Sequence, residues 1–178
     1  MSLKPWKVLE TSHVRKHIRI DRCETSSGQV FDATVFEFRD WATVMPLTKD
    51  GQVVLVRQYR HGLGQVTLEL PGGIMDEGEL PMEAARRELE EETGYTGSTF
   101  TEIGTISPNP AIQSNMVHFF LATDVEKAGG QHLDATEEIE VVLMPLDELI
   151  ALAEQNGILN ALQVAALFFA LAHLKRIA

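Results

Sequence analysis

The sequence predicts a layered α+β fold: a mixed β-sheet sandwiched between helices, preceded by a small antiparallel sheet. Three observations predict it. Runs rich in β-branched and aromatic residues recur from about residue 6 to residue 144. One Glu- and Arg-rich helical segment, residues 80–93, interrupts them midway, and the chain finishes in two helical patterns, the last strongly apolar. Strands interspersed with a few helices bury their apolar faces by stacking helices on a sheet. Two regions follow, a leading antiparallel sheet over residues 1–40 and a main domain over residues 41–178.

In the leading region, residues 6–12, 14–23 and 30–38 alternate partly between apolar and polar, and Thr25-Ser26-Ser27-Gly28 is a turn. So small a sheet is barely stable alone and needs support from the main domain or from a second copy of the chain. Residues 41–47 and 52–59 are strand-like and flank Asp50-Gly51, a strong hairpin signal. Pro71, Gly72, Gly73 and Gly78 punctuate a loop, Pro81 suits a first helical turn, and Gly94 marks the helix end. Residues 101–106 form a strand that Ser107-Pro108-Asn109-Pro110 breaks, and residues 116–124 form a buried strand. Residues 139–144 are a further strand, Pro145 opens a helix through Glu154, and residues 158–175 make the last helix. Phe168, Phe169 and His173 in that helix read as packing.

Composition narrows the function. The chain has 178 residues, 44% hydrophobic and 23% charged, with a formal net charge of −11. That charge argues against nucleic acid held on an open surface, which requires basic patches. A small phosphorylated substrate stays compatible, because bound cations invert the local field. Cys23 alone allows no intrachain disulfide, the opening ten residues lack the apolar core of a signal peptide, and the apolar run 161–174 is too short to span a membrane. The expected setting is the cytosol, with no membrane partner.

The chemistry concentrates between residues 73 and 95. On a helix advancing about 100° per residue, Glu88, Glu91 and Glu92 share one stripe. Ala84 and Ala85 leave room beside it, and Arg87 neutralises only part of the charge. A hard divalent cation with oxygen ligands suits such a stripe. The segment resembles the Nudix box, G-x5-E-x7-R-E-U-x-E-E-x-G-U with U bulky and apolar. Gly73, Glu79, Arg87, Glu88, Leu89, Glu91, Glu92 and Gly94 match in register, and Tyr95 is an aromatic in the final apolar position.

The resemblance implies an α/β/α sandwich, with the box helix on one side of a central mixed sheet and the C-terminal helices on the other. It also implies a Mg²⁺-dependent hydrolase, with Mn²⁺ as a substitute, acting on a nucleoside diphosphate linked to another group. Glu88, Glu91 and Glu92 would hold metal, and Glu79 and Arg87 would tie the box loop to its helix. Arg57-Gln58-Tyr59-Arg60 followed by Glu69-Leu70-Pro71-Gly72-Gly73 is similar to the ADP-ribose and sugar-nucleotide branch. There the residues matching Arg57 and Glu69 lie at the substrate pocket, and the carbonyl matching Gly72 helps hold a metal. Tyr59 can stack or hydrogen-bond. Arg57 and Arg60 also fit a plainer role, as strand-face charges paired with nearby glutamates.

Pro110 matches a proline common in ADP-ribose hydrolases. The polar loop 111–115 departs from a strict ADP-ribose enzyme and favours broader nucleoside diphosphate sugars such as GDP-mannose, with Ser114 and Asn115 candidates for a ribose or sugar hydroxyl. In related enzymes a glutamate from the loop before the last strand acts as base on the attacking water, which leaves Glu137, Glu138 and Glu140 in contention beside Glu91 as catalytic candidates. The branch also implies a homodimer that exchanges its leading sheet. Two other functions stay open: a house-cleaning nucleoside triphosphate pyrophosphohydrolase and a non-catalytic nucleotide-sugar sensor.

Overall fold

A computed structural model describes residues 4–177; the first three residues of the leading stretch and the last residue lie outside it. The chain forms two compact units, residues 1–39 with 107–116, and residues 40–106 with 117–178.

The first unit carries a three-stranded antiparallel sheet, β1 (Lys7–Arg15), β2 (Ile18–Glu24) and β3 (Val30–Phe36), in that order. The Thr25–Gly28 turn lies where expected, with the Gly28 amide donating to the Thr25 carbonyl. The first turn does not. β1 continues through Val14 to Arg15, which pairs with Ile18, so the chain reverses at Lys16-His17 rather than near residue 13. Neither residue is a Gly, Pro, Asn or Asp, so the sequence carries no turn signal at that point. The segment 107–116 joins this unit through a bridge between Phe36 and Gln113.

The second unit is built on an eight-stranded mixed sheet. Its strands are β4 (Trp41–Thr48), β5 (Gln52–Arg60), β6 (Gln65–Glu69), β7 (Gly72–Ile74), β8 (Tyr95–Thr96), β9 (Thr99–Ile106), β10 (Val117–Lys127) and β11 (Ile139–Pro145). The main path runs β11-β5-β4-β10-β8, with β4 and β10 parallel and the other pairs antiparallel. Both faces are covered. Met45, Val53, Leu55, Phe119 and Leu121 pack with Leu146 and Leu149 of α2 (Leu146–Glu154) and with Leu167 and Ala170 of α3 (Ala161–His173). Val44, Val54, Phe120 and Ala122 pack with Ala84, Ala85 and Leu89 of α1 (Pro81–Thr93). Burial on both faces is why β4, β5 and β10 read as unbroken apolar runs. The expected α/β/α sandwich is the fold observed.

Two expectations are corrected. Gly72 and Gly73 are not loop but strand, paired with Thr43 and Ala42. The approach is close: a Cβ on Gly72 would lie 2.4 Å from the Ala42 carbonyl oxygen. The last helix begins at Ala161 rather than at 158, because the Asn160 side chain caps it by accepting from the Leu162 amide at 3.0 Å.

Candidate active site

β4 and β5 leave their hairpin paired only at Leu47 and Val53, and then each takes a different partner, β7 for β4 and β6 for β5. The divergence opens a cavity of about 280 Å³ lined by Trp41 and Thr43 of β4, Arg60 of β5, Glu69 of β6, Gly72 and Gly73 of β7, and Asn160 and Gln163 at the start of α3. Inside it the Arg60 guanidinium holds the Glu69 carboxylate through two bonds, and the Thr67 hydroxyl donates to the same carboxylate at 2.7 Å. Burial alone would raise the Glu69 pKa, but these donors outweigh it and hold the carboxyl below the usual range.

The box helix reaches the same glycine strand from below. Pro81 occupies its first turn, the Glu83 carboxylate returns to the Leu80 amide at 3.3 Å, and Gly94 closes it at φ 71°. Arg87, itself partly buried, is the hub of one edge of the helix. Nε and Nη2 fork onto Glu79 at 2.8 and 2.9 Å, while Nη1 reaches Glu88 at 2.8 Å and Glu91 at 3.1 Å. Glu79 also accepts from the Asp76 amide at 2.8 Å, so the pair ties the loop to the helix. Glu92 accepts from the Gly72 amide at 2.9 Å. Glu88 packs on Gly73 so tightly that a Cβ there would lie 2.5 Å from its Oε1. Burial raises the Glu88 pKa, and burial pushes Glu92 up to about 8, with the charges of Glu88 and Glu137 adding to it and the Gly72 amide opposing it.

The remaining candidates divide. Arg57 and Tyr59 line an open depression of about 510 Å³ with Glu138 and Glu140, on the other side of β5 from Arg60. Arg57 pairs there with Glu140 at 3.5 Å, both well exposed. Glu137 accepts from the Asp134 amide at 3.0 Å, and its charge acts on Arg60, Glu88 and Glu92. Ser114 and Asn115 belong to the first unit: the Ser114 hydroxyl donates to the Phe36 carbonyl, and Asn115 is buried with neither amide atom hydrogen-bonded.

Residues 38–164 match the NUDIX domain. The chain is a member of that family. It is 30% identical over 143 residues to the ADP-ribose pyrophosphatase of Bacillus subtilis (strain 168), covering 80% of this chain and 77% of the relative. It is 27% identical over 150 residues to the methanol dehydrogenase activator of Bacillus methanolicus, covering 84% and 81%. A crystal structure of an ADP compounds hydrolase superposes with a TM-score of 0.88 at 26% identity, over 98% of this chain and 97% of that one. The expected likeness to the ADP-ribose pyrophosphatase branch holds.

The Nudix box of this chain and the residue before it offer oxygen donors: the carboxylates of Glu88, Glu91 and Glu92 and the Gly72 carbonyl. Among the described residues no three His, Cys, Asp or Glu side chains are gathered closely enough to form a ready metal cluster. Arg87 bridges Glu88 and Glu91 instead. The test of fit is Glu92, a carboxylate buried in the fold beside Gly72, from whose amide it accepts at 2.9 Å. A hard divalent ion is what such a donor set accommodates.

Arg60, Asn160 and Gln163 of the cavity lining are not expected there from the sequence. Gln163 is buried and accepts from the Leu70 amide at 2.8 Å, which fixes the chain just before β7. Two polar side chains one turn apart at the head of an otherwise apolar helix were the available signal.

Proposed function

We propose that this Nudix protein is a Mg²⁺-dependent hydrolase, with Mn²⁺ able to substitute, that cleaves the diphosphate bridge of ADP-ribose or related nucleoside diphosphate sugars such as GDP-mannose. The observation that carries the reading is the shared strand β7. One side of Gly72 and Gly73 receives Glu92 and Glu88, and the same glycines line the cavity where Glu69 holds Arg60. Phosphate oxygens bound at Arg60 would therefore lie next to the box carboxylates. The names of the relatives, an ADP-ribose pyrophosphatase and an ADP compounds hydrolase, support the substrate class.

Glu88, Glu91, Glu92 and the Gly72 carbonyl would hold the metal, which when bound polarises water and neutralises phosphate charge. Arg60 orients the diphosphate through its planar fork. Glu137 is assigned the proton of the attacking water, because Glu138 and Glu140 line the outer depression and Glu140 is paired there with Arg57. The water oxygen bonds to phosphorus, the bridging P–O bond breaks, and a nucleoside monophosphate and a sugar phosphate leave. Arg57 and Tyr59 are assigned to an outer end of the substrate, and Ser114 and Asn115 stay candidates for a hydroxyl contact.

A homodimer is part of the proposal. β1 is exposed along its whole length, with Val8 54% and Val14 60% accessible, a surface that a second copy would cover. The test of function is a panel of ADP-ribose, GDP-mannose, UDP-glucose and nucleoside triphosphates with Mg²⁺ or Mn²⁺, with products identified. Preference for triphosphates, or no metal-dependent product, overturns it. Light scattering in solution tests the dimer. The proposed setting is the cytosol; among the described residues no helix is long and apolar enough to cross a membrane.

A further inference from the structure

An α-helix leaves its last four carbonyls without intrahelical partners. At the end of α1 the segment 128–132 supplies many of the missing donors. The Gly94 carbonyl accepts from the amides of Ala128 and Gly129 at 2.9 and 3.1 Å, and the Glu91 carbonyl accepts from the His132 amide at 2.8 Å. The Glu92 carbonyl is served by a side chain: Gln131 Nε2 donates to it at 2.7 Å. The same nitrogen donates to the Ile139 carbonyl at 3.0 Å, at the first residue of β11. One planar amide thus spends both of its N–H groups on two backbone segments, and the seven residues between Gln131 and Ile139 carry Glu137.

We propose that Gln131 is a positioning residue, a clamp that fixes both ends of the 132–138 loop to the box helix and so sets where Glu137 stands relative to Glu88 and Glu92. This rests on the reading of Glu137 as the base. Glutamine is suited to the task for definite reasons. Its primary amide carries two donors on one nitrogen, which glutamate lacks. Asparagine carries them too, but one methylene short of the span. The clamp acts on backbone, so it places the loop without adding charge beside the box carboxylates.

The variants are Gln131→Met, which keeps the length and removes both donors, and Gln131→Glu, which sets a carboxylate against two carbonyls. Three readouts are taken. Amide hydrogen exchange on the metal-free protein is expected to speed up at least about tenfold across 132–138 in both variants, with the body of α1 unchanged; unchanged exchange in the loop, or melting of the helix, overturns the clamp. Steady-state hydrolysis is expected to show kcat reduced roughly ten- to a hundredfold with KM nearly constant, the effect of a misplaced group rather than a lost contact. In a Glu137→Gln background, Gln131→Met is expected to cost little more, because both act through one group. Additive losses overturn the proposal. A wild-type protein inactive on the whole panel would sink the functional reading, while the exchange experiment would still decide the clamp.

Discussion

Arg60 and Glu69 project from the same face of neighbouring antiparallel strands and join by a two-point fork, Nε to Oε1 at 3.0 Å and Nη2 to Oε2 at 2.6 Å, with the Glu69 side chain 1% exposed. Removing the arginine strands a buried carboxylate. Because Arg60 is itself 43% exposed, the loss is below that of a fully buried pair. Arg60→Met is expected to lower stability by about 2 kcal/mol. Arg57→Met, which breaks an exposed contact to Glu140, is expected to cost under about 0.5 kcal/mol. Urea denaturation of both variants checks the contrast, and equal losses would contradict it.

The same carboxylate gives a pH dependence. Glu69 is held below its ordinary value of 4.5, so on acidification the unfolded chain takes up a proton before the folded one does. Its contribution is therefore complete above the ordinary carboxylate range and is lost as pH falls through the folded-state value. Glu69→Gln is expected to flatten the acid limb of stability against pH relative to wild type. An unaltered limb would show that Glu69 is not what the acid titrates.

Gly73 separates fold from chemistry. The atoms that a Cβ there would strike are the end of a flexible side chain, the Glu88 carboxylate at 2.5 to 2.8 Å. Gly73→Ala is expected to leave thermal unfolding within a few degrees while turnover drops by at least about tenfold. In Gly72→Ala the new Cβ meets the Ala42 backbone at 2.4 Å, and that variant is expected to lose stability outright. Calorimetry beside an activity assay distinguishes the two.

Glu92→Gln and Glu88→Gln are expected to reduce kcat by about a hundredfold or more with the circular dichroism spectrum intact. Near-normal turnover in either would remove that residue from the metal site.

Among the loop glutamates, Glu137→Gln is expected to show the severe loss of turnover and Glu138→Gln and Glu140→Gln mild ones. Three mild losses would refute a base in that loop.

Most of the box was legible because its geometry is local. Residues spaced i, i+3 and i+4 share a helix face whatever the rest of the chain does, so the Glu88, Glu91 and Glu92 stripe, the Arg87 contact to Glu91 and the Gly94 stop were readable from spacing, whereas Glu83, equally within reach of Arg87 by spacing, turns back to the Leu80 amide instead. The Asp50-Gly51 hairpin was readable for the same reason. Less legible was the Lys16-His17 reversal, where ordinary residues turn because β1 and β2 pair around them. The strand character of Gly72 and Gly73 was hidden as well, since glycine ordinarily signals a loop and here permits close approach to β4.

The sequence by itself determined the acidic stripe through helical periodicity, the helices on a mixed sheet through the order of strand-like and helical runs, and the family motif through residues at fixed positions. The tertiary structure alone decided which arginine meets Glu69. In β5 side chains alternate, so Arg57 and Tyr59 face one way and Gln58 and Arg60 the other. The pairing of Gln58 with Thr67 and of Arg60 with Gln65 puts Glu69 on the side of Arg60. A one-residue change of register would reverse that choice, and register is a property of two strands together.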